Sequence, residues 1–247
     1  MGLIRKNILF FILSIGLCSS EIINLYEDGI SAYKNENYSN AIEFFKQILD
    51  LEYESEQLYY NLGNAYYLDN NISLSIWSYE KCLKLNPLNG DALFNLKLSN
   101  LNVKDRIEIP DPPLGLKMFR LLKSIFLPSE WINLWMLLFL LISILYFLRK
   151  IFFMDYVQNI EMVVFSIILF LLFPGIFSIY DKYAINEGII ISPKISVYSA
   201  PNDSSTELFY IHEGLKVDIE GYEKQWLRIT LIDGKEGWIQ SKQIIEI

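Results

Sequence analysis

The sequence is poor in the side chains that most enzymes use for catalysis. It contains one histidine, His212, and two cysteines, Cys18 and Cys82. A nucleophile with its base, or a zinc site, needs several convergent ligands or bases, and this chain cannot supply two histidines to either. It also lacks a glycine-rich loop of the kind that binds phosphate. The sequence therefore predicts no enzyme, no cofactor and no metal; a hydrolytic site at His212 and Glu213, or a pair of catalytic carboxylates, is the alternative.

Positive charge is also scarce. The chain has 21 Lys and Arg against 29 Asp and Glu, a net charge of -8. Residues 21–110 hold 14 acids and 7 bases, and residues 181–247 hold 11 acids and 7 bases. Proteins that bind nucleic acid draw most of their affinity from a basic face. The composition therefore predicts no nucleic-acid partner.

Two long apolar runs contain no charged side chain. They are residues 131–148 (WINLWMLLFLLISILYFL) and residues 162–180 (MVVFSIILFLLFPGIFSIY). At ~1.5 Å per residue a helix of either run reaches across the ~30 Å hydrocarbon core of a bilayer. A buried core helix, the alternative, would have a polar face. The runs predict two transmembrane helices, and Arg149 and Lys150 place their short connection, residues 149–161, in the cytoplasm.

The amino terminus, residues 1–20, has the pattern of a secretory signal peptide. Arg5 and Lys6 precede an apolar run that ends in small residues. A lipoprotein signal with Cys18 as acceptor and an uncleaved anchor are the alternatives. Export of this terminus would place the protein in the bacterial inner membrane. The segments before and after the two apolar runs would then lie in the periplasm. Without Cys18, the remaining Cys82 cannot form an internal disulfide.

Residues 110–130 are predicted to be a linker and an interfacial helix. The stretch LGLKMFRLLKSIFL carries Lys117, Arg120 and Lys123, which lie on the outer side in the predicted orientation. These three cations run against the positive-inside rule. An amphipathic helix on the membrane surface accounts for them, because its cations would then meet anionic head groups.

A period of 34 residues organises residues 21–109. Gly63 lies 34 positions after Gly29, and Tyr79 lies 34 positions after Phe45. This period, with small and aromatic residues at fixed positions, indicates the tetratricopeptide repeat, a helix-turn-helix unit. About two and a half repeats are expected. The stretch YYNLGNAYYL is thus helical despite its aromatic residues, and Gly63 is expected where the partner helix crosses closely.

The first helices of such repeats form a concave groove. By helical phase, the groove would present tyrosines for apolar contact and amides that pair with the backbone of a bound protein. The alternative is that several of these side chains merely pack between repeats. The predicted groove residues are Tyr26, Tyr33, Gln57, Tyr60, Asn64, Tyr67, Asp91 and Phe94, with Ile23, Ile30 and Leu98 beside them.

Short alternating runs mark residues 187–247 as a small β domain. Five strands and an Asp233-Gly234 hairpin turn predict a closed SH3-like barrel. The strands are expected at Ile195–Tyr198, Glu207–Tyr210, Lys216–Glu220, Trp226–Leu231 and Glu236–Ile239. An aromatic surface is the predicted binding surface, formed by Tyr198, Tyr210, Tyr222 and Trp226. Trp238 is assigned to the core, and the alternative assigns Trp226 there too.

The predicted fold class is a multidomain membrane protein with an all-α tetratricopeptide superhelix, two transmembrane helices and a small all-β SH3-like barrel. This order of parts, together with FNLKLSN before DRIE and with YSAPNDSSTELFYIHEG, resembles the E-type proteins of the Bacteroides aerotolerance operons over nearly the whole chain. The resemblance implies a role in envelope stress or oxygen tolerance. It also implies partners among von Willebrand A-domain membrane proteins and a MoxR-type ATPase system.

These observations favour a non-enzymatic membrane scaffold whose repeat groove binds other proteins. The alternative is a cell-wall module in which the β domain binds peptidoglycan or a peptide. The two differ in which domain carries the binding surface, so the positions of the named side chains bear on both.

Overall fold

The computed structural model describes residues 20–105, 113–123, 125–152, 157–184 and 186–247. They form two units. The first joins the helices up to residue 105 with a β-sheet in Glu187–Ile247, and the second contains the three helices between these segments. The predicted signal peptide lies outside the described residues, apart from Ser20.

Five helices of the first unit follow the 34-residue period. Helix α1 covers residues 20–34 of the described chain. Helices α2 to α5 are Tyr38–Asp50, Glu56–Leu68, Ile72–Leu85 and Gly90–Asn100. Each of these four helices begins after a capping residue whose side chain accepts a hydrogen bond from the backbone N–H three residues later. The capping residues are Asn37, Ser55, Asn71 and Asn89. The asparagine caps of α2 and α4 are themselves 34 residues apart, so the repeat extends to the helix starts.

Gly29 and Gly63 lie where the helices of each repeat cross. A Cβ atom on Gly29 would stand 2.5 Å from Cε1 of Phe45, and one on Gly63 would stand 2.6 Å from Cε1 of Tyr79. Both rings are buried, so a side chain at either glycine would have to displace a packed ring. The close crossing predicted from the repeat is confirmed. Ser75, the small residue of the second repeat, is fully buried and shares a hydrogen bond of 3.2 Å with Ser99 of α5.

The second unit consists of α6 (Leu114–Lys123), α7 (Pro128–Phe152) and α8 (Val157–Ala184). Gly175 allows the ring of Trp135 to approach the backbone of α8. Arg149 and Glu161 form an ion pair of 3.0 Å between α7 and α8. Arg149 lies in α7 and Glu161 in α8, so both helices extend beyond the apolar runs into residues 149–161; the position of this predicted connection in the cytoplasm stays a prediction. The polar residues that end the apolar runs continue the helices, since charged side chains are themselves good helix formers.

By length and composition, α7 and α8 are each able to cross a membrane. Most of their apolar surface is unburied, and α6 exposes Leu114, Met118 and Leu121. Helices from the core of a soluble domain would bury such side chains. The phase of the apolar residues on α6 matches the amphipathic helix predicted there.

The β domain is an antiparallel sheet of seven strands. They are β1 (Glu187–Ile190), β2 (Lys194–Tyr198), β3 (Glu207–His212), β4 (Lys216–Glu223), β5 (Trp226–Thr230), β6 (Glu236–Gln240) and β7 (Ile244–Glu246). The order is β3-β2-β6-β5-β4-β1-β7. The five predicted strands are present, but β1 and β7 were missed because each has only three or four residues, too few to show an alternation. Among the described residues β3 and β7 are not paired, so the sheet is open and the predicted closure into a barrel is not seen.

The turn between β5 and β6 is the predicted hairpin. Thr230 pairs with Glu236 across it, and Gly234 has φ of +83°, a conformation that favours glycine. The two tryptophans do not lie as predicted. Trp226 is only 9% exposed, and Trp238 is half-buried. Both lie on the face of the sheet opposite to the aliphatic core, where the ring of Tyr198 packs edge-on against Trp226 with 5.5 Å between centroids.

The sheet packs directly on the helical array. Ile189 and Ile247 are buried in the same hydrophobic cluster as the array core. A Cβ on Gly214, which has φ of +82°, would lie 2.8 Å from Cγ2 of Val103. Nζ of Lys216 lies 2.9 Å from a carboxylate oxygen of Glu80 on α4 and 2.9 Å from one of Glu187. The residues before and after the second unit therefore fold as one body.

Candidate functional site: the groove face of the helical array

The first helices of the three repeats lie side by side. Nδ2 of Asn61 on α3 donates to the hydroxyl of Tyr26 on α1 at 2.7 Å. Nδ2 of Asn95 on α5 donates to Oδ1 of Asn64 on α3 at 2.8 Å. We call the surface formed by the predicted groove residues of α1, α3 and α5 the groove face. The sequence predicted the residues of the groove face on three separate helices. The two hydrogen bonds join α3 to α1 and α5 to α3.

The tyrosines of the groove face are half-buried. The ring of Tyr26 packs 6.0 Å from that of Phe45, Tyr33 packs edge-on against Tyr38, and Tyr60 lies 6.3 Å from Tyr79. Burial raises the pKa of Tyr26 and of Tyr33. Each ring thus shares its surface between the repeat core and the groove. The packing alternative is thus seen for Tyr26, Tyr33 and Tyr60, and the binding of a protein by the accessible part of each ring stays a prediction.

The amides of the groove face are held in fixed orientations. Oδ1 of Asn64 accepts from the hydroxyl of Tyr79 at 2.7 Å as well as from Asn95. Within the described residues this leaves the Nδ2 group of Asn64 and the Oδ1 atoms of Asn61 and Asn95 without a partner. These atoms are two oxygens that can accept a hydrogen bond and one amide group that can donate. Gln57 is exposed instead, and its Nε2 bonds to Glu56.

The open end of the array exposes the most apolar surface. Phe94 is 61% exposed, Leu98 36% and Leu101 58%, and all three lie along one side of α5. At the other end Ile23 is 56% exposed. Exposed apolar side chains in a row, rather than scattered singly, are typical of a protein-binding surface. Asp91 is exposed at the start of α5, and Tyr67 is half-buried between these ends.

The sequence reasoning missed Asn61, Asn95 and Leu101. Asn61 and Asn95 are 34 residues apart, so the repeat itself carried the signal that could have found them. Leu101 follows Leu98 by three residues on the same helical side. The prediction stopped at Leu98 because the third repeat departs from the pattern at Lys97, which replaces the glycine.

His212 connects the two parts of the first unit and does not face a cleft. Its Nδ1 lies 3.0 Å from Oδ1 of Asp105, and its backbone N–H donates to Oδ2 of the same carboxylate at 2.6 Å. Its Nε2 lies 3.0 Å from Nζ of Lys104. Glu213 is exposed and lines a surface depression with Ile191 and the turn between α3 and α4. With both ring nitrogens engaged, the arrangement provides a strut between the array and the sheet rather than a base beside a nucleophile.

The predicted surface of the β domain is only partly assembled. By strand alternation Tyr198, Tyr210 and Trp226 share the outer face of the sheet, but Trp226 is buried and offers little surface. Tyr222 lies apart on β4, with its hydroxyl donating to Glu246 at 3.1 Å. The four side chains therefore do not form one binding surface.

Reactive and metal-binding groups were also sought in the part of the chain that the structure describes. No three His, Cys, Asp or Glu side chains there come close enough to hold a metal ion. Cys82 is fully buried, and burial raises the pKa of its thiol to about 12. A thiol in this environment remains protonated and unreactive at neutral pH.

Comparison with known proteins supports the repeat assignment. Residues 56–87 match the tetratricopeptide repeat family. The chain is 36% identical over 76 residues to the Photosystem I assembly protein Ycf3 of Prochlorococcus marinus strains MIT 9301 and MIT 9215, which covers 30% of this chain and 44% of each relative. The chain thus spans less than half the length of these relatives. The crystal structure of the Sgt2 tetratricopeptide domain from Aspergillus fumigatus is similar over 33% of this chain and 54% of that one, at 22% identity and a TM-score of 0.31.

Proposed function

We propose that the chain is a membrane-anchored scaffold without catalytic activity, and that its groove face binds a partner protein. The observation that carries the proposal is the groove face itself. It combines fixed amide groups at Asn61, Asn64 and Asn95 with exposed apolar side chains on α5. Tetratricopeptide repeats serve protein–protein interaction, and residues 56–87 match that family.

The path of the chain supports a membrane hairpin. Residues 20–105 and 187–247 share one hydrophobic core, so they must lie on the same side of any membrane that the intervening helices cross. Two crossings satisfy this requirement, and α7 and α8 are the two helices of suitable length and composition among the residues that the structure describes. We propose that both flanking segments are periplasmic and that the hairpin anchors them in the bacterial inner membrane.

The resemblance to the E-type aerotolerance proteins supports a place in an envelope complex. We propose that the partners are von Willebrand A-domain membrane proteins or the MoxR-type ATPase system of such operons. The groove face carries no pair of cations that would clamp a free carboxylate. An internal segment of a partner is therefore a better fit than a carboxyl terminus.

Crosslinking in membranes tests the scaffold. The double variant Phe94→Ser and Leu101→Ser should abolish a specific crosslinked product, because both side chains are exposed and contribute to the groove face rather than the core. Leu88→Ser is the matched control, since Leu88 is 54% exposed but lies in the turn before α5. Loss of the product in both, or in neither, would refute binding at this face. Tyr60→Ala with Tyr67→Ala is a second variant that probes the middle of the groove.

Reporter fusions test the topology. Fusions after residues 110 and 247 should report the periplasm, and a fusion after residue 155 should report the cytoplasm. A cytoplasmic signal at residue 110 or 247 would contradict the proposed orientation. Binding at the groove face would still be tested separately by crosslinking.

Binding of peptidoglycan by the β domain is the second candidate. The exposed ring of Tyr210, which has Nζ of Lys194 at 4.0 Å from its centroid, is the observation that favours it. The full chain should be tested on purified sacculi, because the β domain shares its core with the array. Retention that is lost in Tyr210→Ala and kept in Tyr222→Ala would support this function; no retention of the parent protein would exclude it.

A further inference from the structure

Helix α6 carries a charge opposite to that of the whole chain. It contains three cations and no Asp or Glu, whereas the net charge of the protein is -8. Two of the cations, Lys117 and Arg120, are exposed. The next acid in the chain is Glu130, whose carboxylate accepts a hydrogen bond of 2.8 Å from the backbone N–H of Leu127 at the start of α7. The two exposed cations therefore form a local positive surface on an acidic protein.

A row of exposed apolar side chains lies beside these cations. Leu114, Met118 and Leu121 follow one another by four and by three residues, so they share one side of α6. They are 75%, 57% and 62% exposed. Lys117 comes three residues after Leu114 and four before Leu121, so it borders this row. An apolar row bordered by cations is typical of a helix that lies in the interface of a membrane.

An aromatic contact holds α6 beside one end of the hairpin. The ring of Phe119 packs edge-on against that of Phe177 on α8, with 5.6 Å between centroids. Phe177 lies three residues before Tyr180, where the apolar span of α8 ends, a distance of ~5 Å along a helix. Interfacial helices bury their apolar side by ~5–10 Å at the boundary between head groups and acyl chains. In a bilayer that α8 crosses, α6 therefore lies at the depth of this boundary.

A second set of contacts fixes the end of α6 to the start of α7. Trp131 is 1% exposed, and its Nε1 donates to the carbonyl oxygen of Lys123 at 3.2 Å. The ring of Phe126 packs edge-on against that of Trp131, with 5.2 Å between centroids. Lys123 is the last residue of α6, and Trp131 begins the first apolar run. Packing between the two helices thus holds the cations of α6 at one depth.

We propose that α6 and the adjoining end of the hairpin form a binding site for anionic phospholipids. The apolar row of α6 lies among acyl chains, and Lys117 and Arg120 bind phosphate oxygens of the head groups. Zwitterionic lipids offer the same phosphate, but their ammonium group cancels its charge, so the two cations favour lipids with a net negative charge. The site exists only if the proposed membrane hairpin is correct. It is separate from the groove face.

Quenching of a fluorophore by brominated lipids tests the site in the full chain. The fluorophore is attached to Met118→Cys in a Cys18→Ser background, since the remaining Cys82 is fully buried. Nanodiscs contain equal parts of phosphatidylcholine and phosphatidylglycerol, and either one or the other carries bromine. At low salt, phosphatidylglycerol should be enriched at least ~5-fold beside the label, the strength of about one cation at an anionic membrane surface. The preference should vanish near ~1 M salt, which screens exposed charges.

Paired variants separate the charge of α6 from its structure. Lys117→Gln with Arg120→Gln should remove the preference for phosphatidylglycerol, because glutamine is an equally good helix former without charge. Lys34→Gln with Lys46→Gln, which removes two exposed cations from the array, is the matched control and should keep the preference. The exchange Lys117→Arg with Arg120→Lys keeps both charges and should keep the preference too.

A second label distinguishes failure of the site from failure of the hairpin. Phe170→Cys lies within the apolar span Gln158–Tyr180 at a position that is 67% exposed, so both brominated lipids should quench its fluorophore.

Three results would overturn the proposal. Equal quenching of the Met118→Cys label by the two lipids, or a preference that survives Lys117→Gln with Arg120→Gln, would refute the lipid site and leave the hairpin intact. A Met118→Cys label that neither lipid quenches, beside a quenched Phe170→Cys label, would show that protein rather than lipid covers α6. Absence of quenching at both labels would refute the hairpin together with the site.

Discussion

The helical array and the β-sheet share buried residues where they meet, Ile189 and Ile247 among them, but the rest of their interiors differ in composition. The core of the array includes the rings of Tyr59, Tyr66 and Tyr79 and the thiol of Cys82, and its buried polar side chains are Ser73, Ser75, Ser78 and Ser99. The core of the sheet consists of Ile, Val and Leu, with Phe209 at its margin.

The array and the sheet are therefore stabilised in two different ways. In the array, helices approach through glycine and serine, and hydroxyl groups hold large rings in place by hydrogen bonds such as Tyr79 to Asn64. Its stability therefore depends on a few contacts of defined geometry. The sheet depends on apolar area, which tolerates substitutions that conserve volume. The following predictions test this contrast, beginning with the largest expected effect.

Alkaline pH should weaken the array before the sheet. Burial raises the pKa of Tyr66 and of Cys82 to about 12 in each case, and it raises that of Tyr79 further. For acids with a raised pKa, the stability is complete below the ordinary value, near 10 for tyrosine, and is lost as the pH rises toward the folded value. The loss should reach ~3 kcal/mol for Tyr66 alone above pH ~12, at about 1.4 kcal/mol per pKa unit. Loss of helical circular dichroism between pH ~10 and ~12, with the β-sheet amides still protected, is the expected result; sheet amides that open first would contradict it.

Replacement of Gly63 should strongly destabilise the array. The Cβ of Gly63→Ala would meet the Tyr79 ring at 2.6 Å, and this ring is buried and held by Asn64, so we expect a loss of about 3 kcal/mol in the free energy of unfolding. Urea denaturation measures it. Gly221→Ala is the control because a Cβ there meets nothing within 4 Å. In the sheet core, Ile229→Val should cost only about 1 kcal/mol. Equal losses at Gly63 and Gly221 would show that the crossing is not close.

Replacement of Lys216, which lies between the array and the sheet, should lower the free energy of unfolding by an intermediate amount. Burial by itself would lower the pKa of Lys216, but Glu80 and Glu187 outweigh it, so the pKa is raised and the ammonium group stays charged at neutral pH. Lys216→Met leaves two carboxylates facing each other, and we expect a loss of about 1 to 2 kcal/mol. Chemical denaturation should then show the sheet unfolding separately from the array. The control is Lys235→Met, which removes an exposed pair with Asp233 and should change the free energy by less than about 0.5 kcal/mol.

The smallest effect is expected at Trp77. Trp77→Phe keeps most of the ring but removes the hydrogen bond to the carbonyl oxygen of Glu246, at a cost of about 1 kcal/mol. Faster amide exchange in β7 with unchanged exchange in β5 would be the expected pattern. Unchanged exchange in β7 would show that this contact does not secure the edge of the sheet.

The helices of the array were predictable because their signals are local. Gly29, Gly63 and the capping residues recur with one period, and each acts through neighbouring helices of the array. Five strands and the Asp233-Gly234 hairpin were predictable for the same reason. The strands β1 and β7 were not, because segments of three or four residues carry no period. They form strands because β1 pairs with both β4 and β7.

The candidate site was predictable in part. Helical phase placed the tyrosines on the groove face, but it could not show that the side-chain oxygen of Asn64 accepts hydrogen bonds from Tyr79 and Asn95. His212 was assigned to a strand end, which is correct. Its partners Lys104 and Asp105 lie more than a hundred residues away in the chain, and no local pattern connects them.

The sequence alone determined the repeat period, the two apolar helices and the acidic character of the chain, because each depends on residue type at short spacing. Tertiary structure alone decided that the array and the sheet form one body, that α4 covers one edge of the sheet, and that β3, at the other edge, pairs only with β2 among the described strands. These features come from contacts between segments that the hairpin separates in the chain. Such contacts are selected by the shape and charge of complete surfaces, which a linear pattern does not contain.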